Sequence, residues 1–329
     1  MPLPNVTVMI PVLNEERHLA EVVAAALAQD YQGAIDVVLA IGPSKDRTQA
    51  IAEELAAADA RVSWVANPSG RTPDALNAAL ARATGSVIVR CDGHAILPAD
   101  YVATAVAALS STGAVNVGGI MDAQGETHFQ KAVAYAMRSK FGVGSAAFHV
   151  GGTAGPAETV YLGCFDAQAL RAAGGYDSKM TRAQDWELNH RLIEAGGLVW
   201  FEPKLRVTYR PRRTIRTLAK QYLQYGQWRR RVMRMHPETS RRLSALRYFA
   251  PPLALAGIAL GSAAGLAGLL LANALTLGFA IPAAYLLALC LVAVPAVKSE
   301  GLHVASRLPA VLATMHLSWG WGFLTSRVG

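Results

Sequence analysis

Four short runs of β-branched and apolar residues, at 5–12, 35–41, 62–66 and 86–91, recur with helix-length segments between them. Runs of this composition are strands buried on both faces, and strands joined by helices at this spacing form a mostly parallel sheet covered on both sides. The helices are expected over about residues 17–28, in an alanine-rich stretch ending near 58, and over 74–83. In such α/β sheets ligands bind beyond the carboxyl ends of the strands. Pro11 to Glu15, Gly42 to Thr48 and Asp92-Gly93-His94 all fall there, so three polar loops on one rim define a cleft. A dinucleotide-dependent oxidoreductase shares this architecture, but its first strand leads into G-x-G-x-x-G. Here Pro11 and Asn14-Glu15 stand in that place, which argues against it.

Two features of the rim suggest chemistry. The middle of the stretch 180–197 reads as a helix that Gly196 and Gly197 can end, with Leu188, Leu192 and Ala195 on one face and Asp185 on that same face. A carboxylate at the edge of an apolar face costs free energy unless it is paired, capped or used. The plainer alternative is an acid in the first helical turn, favoured by the helix dipole. The Asp92-Gly93-His94 turn sets one carboxylate and one imidazole two residues apart, a spacing that lets both reach one divalent cation or one diphosphate. A simple polar turn is the alternative there.

The rest of the chain is organised around a bilayer. From Tyr248 to Val297 no residue is charged, which leaves room for two spans of about 20 residues each. Arg307 and Arg327 bracket a third uncharged run, 308–326, whose His316, Trp319 and Trp321 make it a span, a re-entrant segment or an interfacial helix. Residues 204–247 hold 14 of the 31 basic residues and one acid, Glu238, while the remainder has 17 basic against 22 acidic. Within that collar, 213–235 reads as an amphipathic helix with Ile215, Leu218, Ala219 and Tyr222 on one face. The positive-inside rule puts the collar and the globular part before it on the cytoplasmic side of a multi-pass protein of the inner (cytoplasmic) membrane. Apolar spans directly after the collar make anionic lipids its partner and not nucleic acid.

Several smaller expectations complete the pass. Further strands are expected at 113–119, 159–165, 198–201 and 205–209, and a helix at 167–173. The glycine-rich segment 127–155 reads as a mobile loop over the cleft. The first residues lack the pattern of a signal peptide. Cys91, Cys164 and Cys290 read as reduced thiols without metal-ligand spacing.

Together the motifs carry a resemblance. Val8-Met9-Ile10-Pro11-Val12-Leu13-Asn14-Glu15, the turn Gly42-Pro43-Ser44-Lys45-Asp46-Arg47-Thr48, Ala75-Leu76-Asn77 before Gly85, Asp92-Gly93-His94, and Gly174-Gly175-Tyr176-Asp177 with Gln184-Asp185-Trp186-Glu187-Leu188 resemble a family 2 glycosyltransferase with the GT-A fold. Their order and spacing match from Val6 to Trp228. Tyr209-Arg210-Pro211-Arg212, Gln221 to Arg229, His236-Pro237 and His316-Leu317-Ser318-Trp319-Gly320 are similar to the ExoA-like glucosyltransferases of succinoglycan-type exopolysaccharide synthesis.

The resemblance implies a membrane-bound inverting enzyme that moves a sugar, glucose from UDP-glucose, onto a lipid-linked saccharide in exopolysaccharide or envelope glycan synthesis. Asp185 would be its general base. Asp92 and His94 would fill the two ends of the family's D-x-D motif and hold Mn²⁺ or Mg²⁺. Pro11, Val12, Asn14, Glu15, Ser44, Arg71 and Asp92 would line the nucleotide pocket. Trp186, Glu187, Gln224, Trp228 and Arg229 would meet the acceptor, Gln224 to Trp228 lying where processive relatives carry Q-x-x-R-W. Residues 1–212 would be the catalytic domain, 213–247 the membrane-interface helices, and 248–329 a membrane domain of about three helices. This sequence departs from the pattern in three places: Ile41 stands where an Asp usually reads the nucleobase, His94 replaces an Asp, and Gln227 replaces the Arg of Q-x-x-R-W. Two other outcomes stay open: a polyprenyl-phosphate sugar synthase, whose attacking phosphate needs no base, and an inactive membrane-tethered nucleotide-binding module.

Overall fold

The computed structural model describes residues 2–144, 146–237, 243–271 and 274–326. The chain forms two compact units, one of Met1–Asp122 with Ala147–Tyr209 and the other of Ala123–Ala146 with Arg210–Gly329.

The first unit is built on one eight-stranded sheet. In chain order its strands are β1 (Val6–Val12), β2 (Ile35–Ile41), β3 (Val62–Ala66), β4 (Val87–Arg90), β5 (Asn116–Ala123), β6 (Gly155–Pro156), β7 (Tyr161–Asp166) and β8 (Val199–Tyr209). They lie in the order β3-β2-β1-β4-β7-β5-β8-β6. The first four run parallel, whereas β7 is antiparallel to both β4 and β5, and β6 is antiparallel to β8.

Burial on both faces explains the unbroken apolar runs. Val6, Val8, Ile10 and Val12 of β1 join one core with Leu19, Val22, Val23 and Ala26 of α1 (Leu19–Leu27), Ala52 of α2 (Thr48–Ala58), and residues further along the chain. Met9, between them, joins a second core with Ala75, Leu76, Ala79 and Leu80 of α3 (Thr72–Arg82). The second-core residues also include Leu170, Leu188 and Leu192, which lie on helices introduced below. Strand β8 takes the place of the two short strands expected at 198–201 and 205–209, because Pro203 sits within the strand without ending it. A helix not among the expected elements, α4 (Tyr101–Thr112), packs Tyr101, Val102, Ala105 and Val106 into the first core and ends on Gly113 in the left-handed conformation.

The segment 127–155 is not one mobile loop. It opens with α5 (His128–Met137), started by a reciprocal capping box between Thr127 and Gln130, and continues through the one-turn helices α6 (Lys140–Val143) and α7 (Ala147–Val150) to β6. The cap satisfies the amides of Thr127 and Gln130, and buried Gln130 also donates to Pro211 O at 3.1 Å. After β7 come α8 (Ala167–Ala172) and α9 (Gln184–Glu194), which carry Leu170, Leu188 and Leu192.

In the second unit α10 (Ile215–Met235) starts at an N-cap formed by Thr214 and packs closely on the helix Leu308–Thr325. Glycines make the approach possible. A Cβ on Gly226 would lie 2.0 Å from Trp319 O, and one on Gly322 would lie 2.0 Å from Leu223 O. Two other stretches, Leu246–Leu271 and Ala274–Glu300, are long and apolar enough to cross a bilayer. Leu260, Leu270 and Leu277 on them are 71%, 88% and 74% exposed, which in water would leave a large apolar surface uncovered. The helix Leu308–Thr325 instead buries Leu308, Val311, Leu312 and Met315.

Candidate active site

The rim loops after β1 and β2 are laced to each other. Gly42 N donates to Val12 O at 2.8 Å, Asn14 N to Ser44 Oγ at 3.0 Å, Lys45 N to Asn14 Oδ1 at 2.8 Å, and Glu15 N to Thr48 Oγ1 at 2.8 Å. Asn14 adopts a φ of 55°, a left-handed value that Asn tolerates better than most residues. Of the expected nucleotide-pocket residues, Val12 is thus buried and offers its backbone, Pro11 is half-buried, and Asn14, Glu15 and Ser44 form one bonded unit. Arg71, at the start of α3, is paired with Asp74 at 2.8 Å.

The loop after β4 comes close to the same unit. A Cβ on Gly93 would stand 3.1 Å from Glu15 Cγ and 3.2 Å from Pro11 O, so the turn sits closely against Glu15. His94 Nδ1 lies 2.9 Å from Glu15 Oε1. In the tautomer protonated at Nδ1, Glu15 fixes the ring and leaves the lone pair on Nε2, the arrangement typical of a metal-binding histidine. Among the described residues no three His, Cys, Asp or Glu side chains gather as a metal cage. A cation at Asp92 and His94, which the resemblance implies, would have to be completed by diphosphate and water oxygens and would not be enclosed by protein alone.

Arg90, the last residue of β4, joins this loop to α9. Its Nε and Nη2 donate to Asp92 Oδ1 at 3.1 and 2.9 Å, and its Nη1 donates to Asp185 Oδ1. The guanidinium is buried, while the Asp92 and Asp185 side chains keep 23% and 29% of their surface exposed. Burial pushes the Asp185 carboxyl up to about 6; Arg90 pulls against that rise and Asp92 adds to it. Burial alone would lower the Arg90 pKa, but Asp185 and Asp92 more than offset it and hold Arg90 well above its ordinary value.

The mount of Asp185 is equally specific. It stands in the first turn of α9, after Ala183 in the left-handed conformation. Trp186 is buried and stacked on His190, with centroids 5.2 Å apart and planes 11° from parallel. Glu187, expected on the acceptor side, is buried and forked to Arg191 at 2.6 and 2.7 Å. Arg191 in turn donates to Ala173 O and, at 2.8 Å, to Gly175 O. The Asn77 amide binds both Tyr176 N at 2.8 Å and Tyr176 O at 2.7 Å, so the Gly174-Gly175-Tyr176 turn is tied to α3 and α9 at once. Gly175 has a φ of 69°, and a Cβ there would lie 2.5 Å from Asn77 Oδ1.

Gln224, Trp228 and Arg229 belong to the second unit, where all three lie half-buried on α10. Arg229 stacks over the Tyr248 ring at 4.1 Å and Arg231 over the Trp228 ring at 4.8 Å. Arg90 is the site residue that the motifs do not reveal. Its signal is a charged residue closing a buried strand, which requires carboxylate partners nearby.

Comparison with known proteins agrees with this architecture. Residues 7–156 match the model of glycosyl transferase family 2. The chain is 34% identical over 257 residues to the succinoglycan biosynthesis protein ExoA of Rhizobium meliloti (strain 1021), covering 78% of this chain and 76% of that protein. It is 22% identical over 230 residues to the dolichyl N-acetyl-alpha-D-glucosaminyl phosphate 3-beta-D-2,3-diacetamido-2,3-dideoxy-beta-D-glucuronosyltransferase of Methanococcus voltae, covering 67% of this chain and 71% of that protein. The mannosyltransferase PcManGT of Pyrobaculum calidifontis, solved with GDP-Man and Mn²⁺, superposes with a TM-score of 0.59 at 21% identity, over 95% of this chain and 86% of its own. The sheet is thus that of the GT-A fold, and with the identity to ExoA extending over most of both proteins, the chain belongs to glycosyltransferase family 2.

Proposed function

We propose that this protein is an inverting glycosyltransferase of the cytoplasmic membrane that moves a hexosyl group, glucose from UDP-glucose, onto a lipid-linked saccharide. One observation carries the reading: the rim carboxylates of Asp185 and Asp92 share one buried guanidinium. In the transfer, Asp185 takes the proton of the acceptor hydroxyl as its oxygen attacks the anomeric carbon, and the bond from that carbon to the diphosphate breaks on the opposite side. Asn14, Glu15, Ser44 and Arg71, with the backbone of Pro11 and Val12, are assigned to the nucleotide. Mn²⁺ or Mg²⁺ held by Asp92 and His94 together with the diphosphate would neutralise the leaving group.

Trp186, Gln224, Trp228 and Arg229 are assigned to the acceptor. Glu187 is assigned to holding α9, since Arg191 already occupies its carboxylate. A lipid-linked acceptor is supported by the two apolar helices after the basic collar and by the names of the relatives, one a succinoglycan biosynthesis protein and one a transferase to a dolichyl phosphate sugar.

The test is nucleoside diphosphate release by the detergent-purified protein across a panel of sugar nucleotides, with and without lipid extract and with each metal. Asp185→Asn is expected to keep nucleotide binding and to lose transfer by a factor on the order of 10³ or more. A variant that stays substantially active would remove the base from the reaction and point to a phosphate acceptor.

A further inference from the structure

The reaction above uses the carboxylates of Asp92 and Asp185 but gives no task to the group between them. Arg90 ends a buried strand, and its side chain is 5% exposed. Its planar guanidinium is used on two sides. The Nε and Nη2 fork grips Asp92 Oδ1, and Nη1 grips Asp185 Oδ1. Asp92 and Asp185 come from segments more than ninety residues apart, one on the loop after β4 and the other on α9. A rigid five-donor fork held by a strand end fixes both the separation and the orientation of such a pair, which a lysine ammonium cannot do.

The asymmetry of exposure separates this arrangement from an ion cluster that serves folding alone. The cation lies inside, whereas each acid keeps about a quarter of its side-chain surface on the rim. With both acids ionised the cluster retains one negative charge, so Arg90 holds the pair together without neutralising it. Tyr176 packs in the same place, its hydroxyl buried, on the turn that Asn77 and Arg191 fasten.

We propose that Arg90 is the positioning residue of the transfer, setting the Asp185 carboxylate in register with the donor-side loop at Asp92. The proposal rests on the glycosyltransferase reading of the site. Arg90 acts through Asp185, with Asp92 as the anchor of its fork, and touches neither substrate.

The experiment compares Arg90→Lys and Arg90→Met with the wild type in the full-length protein. Calorimetry with UDP as the probe reads nucleotide binding, and initial rates read kcat and KM. Arg90→Lys is expected to fold, to bind UDP within about threefold of wild type, and to lose about tenfold or more in kcat; Arg90→Met is expected to lose on the order of 10²-fold. On an Asp185→Asn background the same substitutions should lower kcat no further, because the residue they act through is already gone. Either variant with kcat within about threefold of wild type overturns the role. So does a loss confined to UDP affinity, which would make Arg90 part of the nucleotide pocket. Should Arg90→Met fail to fold, Arg90→Lys alone decides the matter. A wild type that releases no nucleoside diphosphate from any sugar nucleotide overturns the functional reading itself, whereas an active wild type beside an unimpaired Arg90→Lys overturns only the role of Arg90.

Discussion

As the proposed base, Asp185 would have to be ionised to accept a proton, yet its burial favours the neutral acid. Burial pushes it up to about 6, and Arg90 keeps it from rising further. A base with a raised pKa is protonated, and so inactive, below that value, and it gains competence as pH rises through it. The rate at low substrate is therefore expected to fall on the acid side of about pH 6 and to be level above it. In Arg90→Met the limb should move to higher pH, because the lowering influence is removed while burial remains. Initial rates from pH 5 to 9 check both statements. A rate level down to pH 5, as an ordinary carboxylate of about 4 would give, would detach Asp185 from the rate. Asp185, Asp92 and His94 stand out in the sequence as candidates because they are chemistry-bearing residue types at strand and helix ends. The places of Arg90 and Glu187 are harder to read from residue type for a shared reason: their meaning lies in partners. Glu187 has its partner four residues along the same helix, an i,i+4 spacing that the sequence does display. Arg90 finds one partner ninety-five residues away, which no local pattern reports.

Elements were legible where one force dominated. Strands β2 and β3 have the expected limits because each is a short apolar run between turn residues. Helix α4 was missed because alanine, serine and threonine give its faces little contrast, and α5 because its capping box stands among glycines and scattered polar residues. Gly226 shows how a motif position can serve packing. It lies between Gln224 and Trp228, residues assigned to the acceptor, yet its lack of a side chain is what lets α10 approach the helix Leu308–Thr325. A Cβ 2.0 Å from the Trp319 carbonyl must push the helices apart, since backbone cannot yield as a side chain can. Gly226→Ala is expected to destabilise the protein by about 1–3 kcal/mol despite the better helix propensity of alanine. At Gly257 the nearest atom to the added Cβ is Ile281 Cγ2 at 3.8 Å, an ordinary contact, so Gly257→Ala should be neutral or slightly stabilising. Thermal unfolding of the two variants in one detergent distinguishes the cases, and equal midpoints would show that the close approach is not maintained in solution.

At the scale of the whole molecule, charge rather than hydropathy decides orientation. The uncharged stretch from Tyr248 to Val297 is preceded by the basic collar and followed by Lys298 and Arg307. If Leu246–Leu271 and Ala274–Glu300 both cross, basic residues lie at the two outer ends of the pair and none lies at the turn between them. Each lysine or arginine near an anionic cytoplasmic leaflet is worth about 1 kcal/mol, so the arrangement strongly favours both outer ends inside and the turn outside. The same orientation keeps α10 on the side where nucleotide sugars are made, as the proposed reaction requires. Cysteine labelling tests it. Cys290 is exposed on the second helix and would be replaced by serine, while Cys91 and Cys164 are buried and can stay. Lys220→Cys on α10 is expected to react with a membrane-impermeant maleimide only in inside-out vesicles or after permeabilisation, and Ala274→Cys at the turn only in right-side-out spheroplasts. Labelling of both positions from the cytoplasmic side alone would show that the apolar pair enters the bilayer without crossing it. The proposed lipid-linked acceptor would then have to be met from the membrane surface.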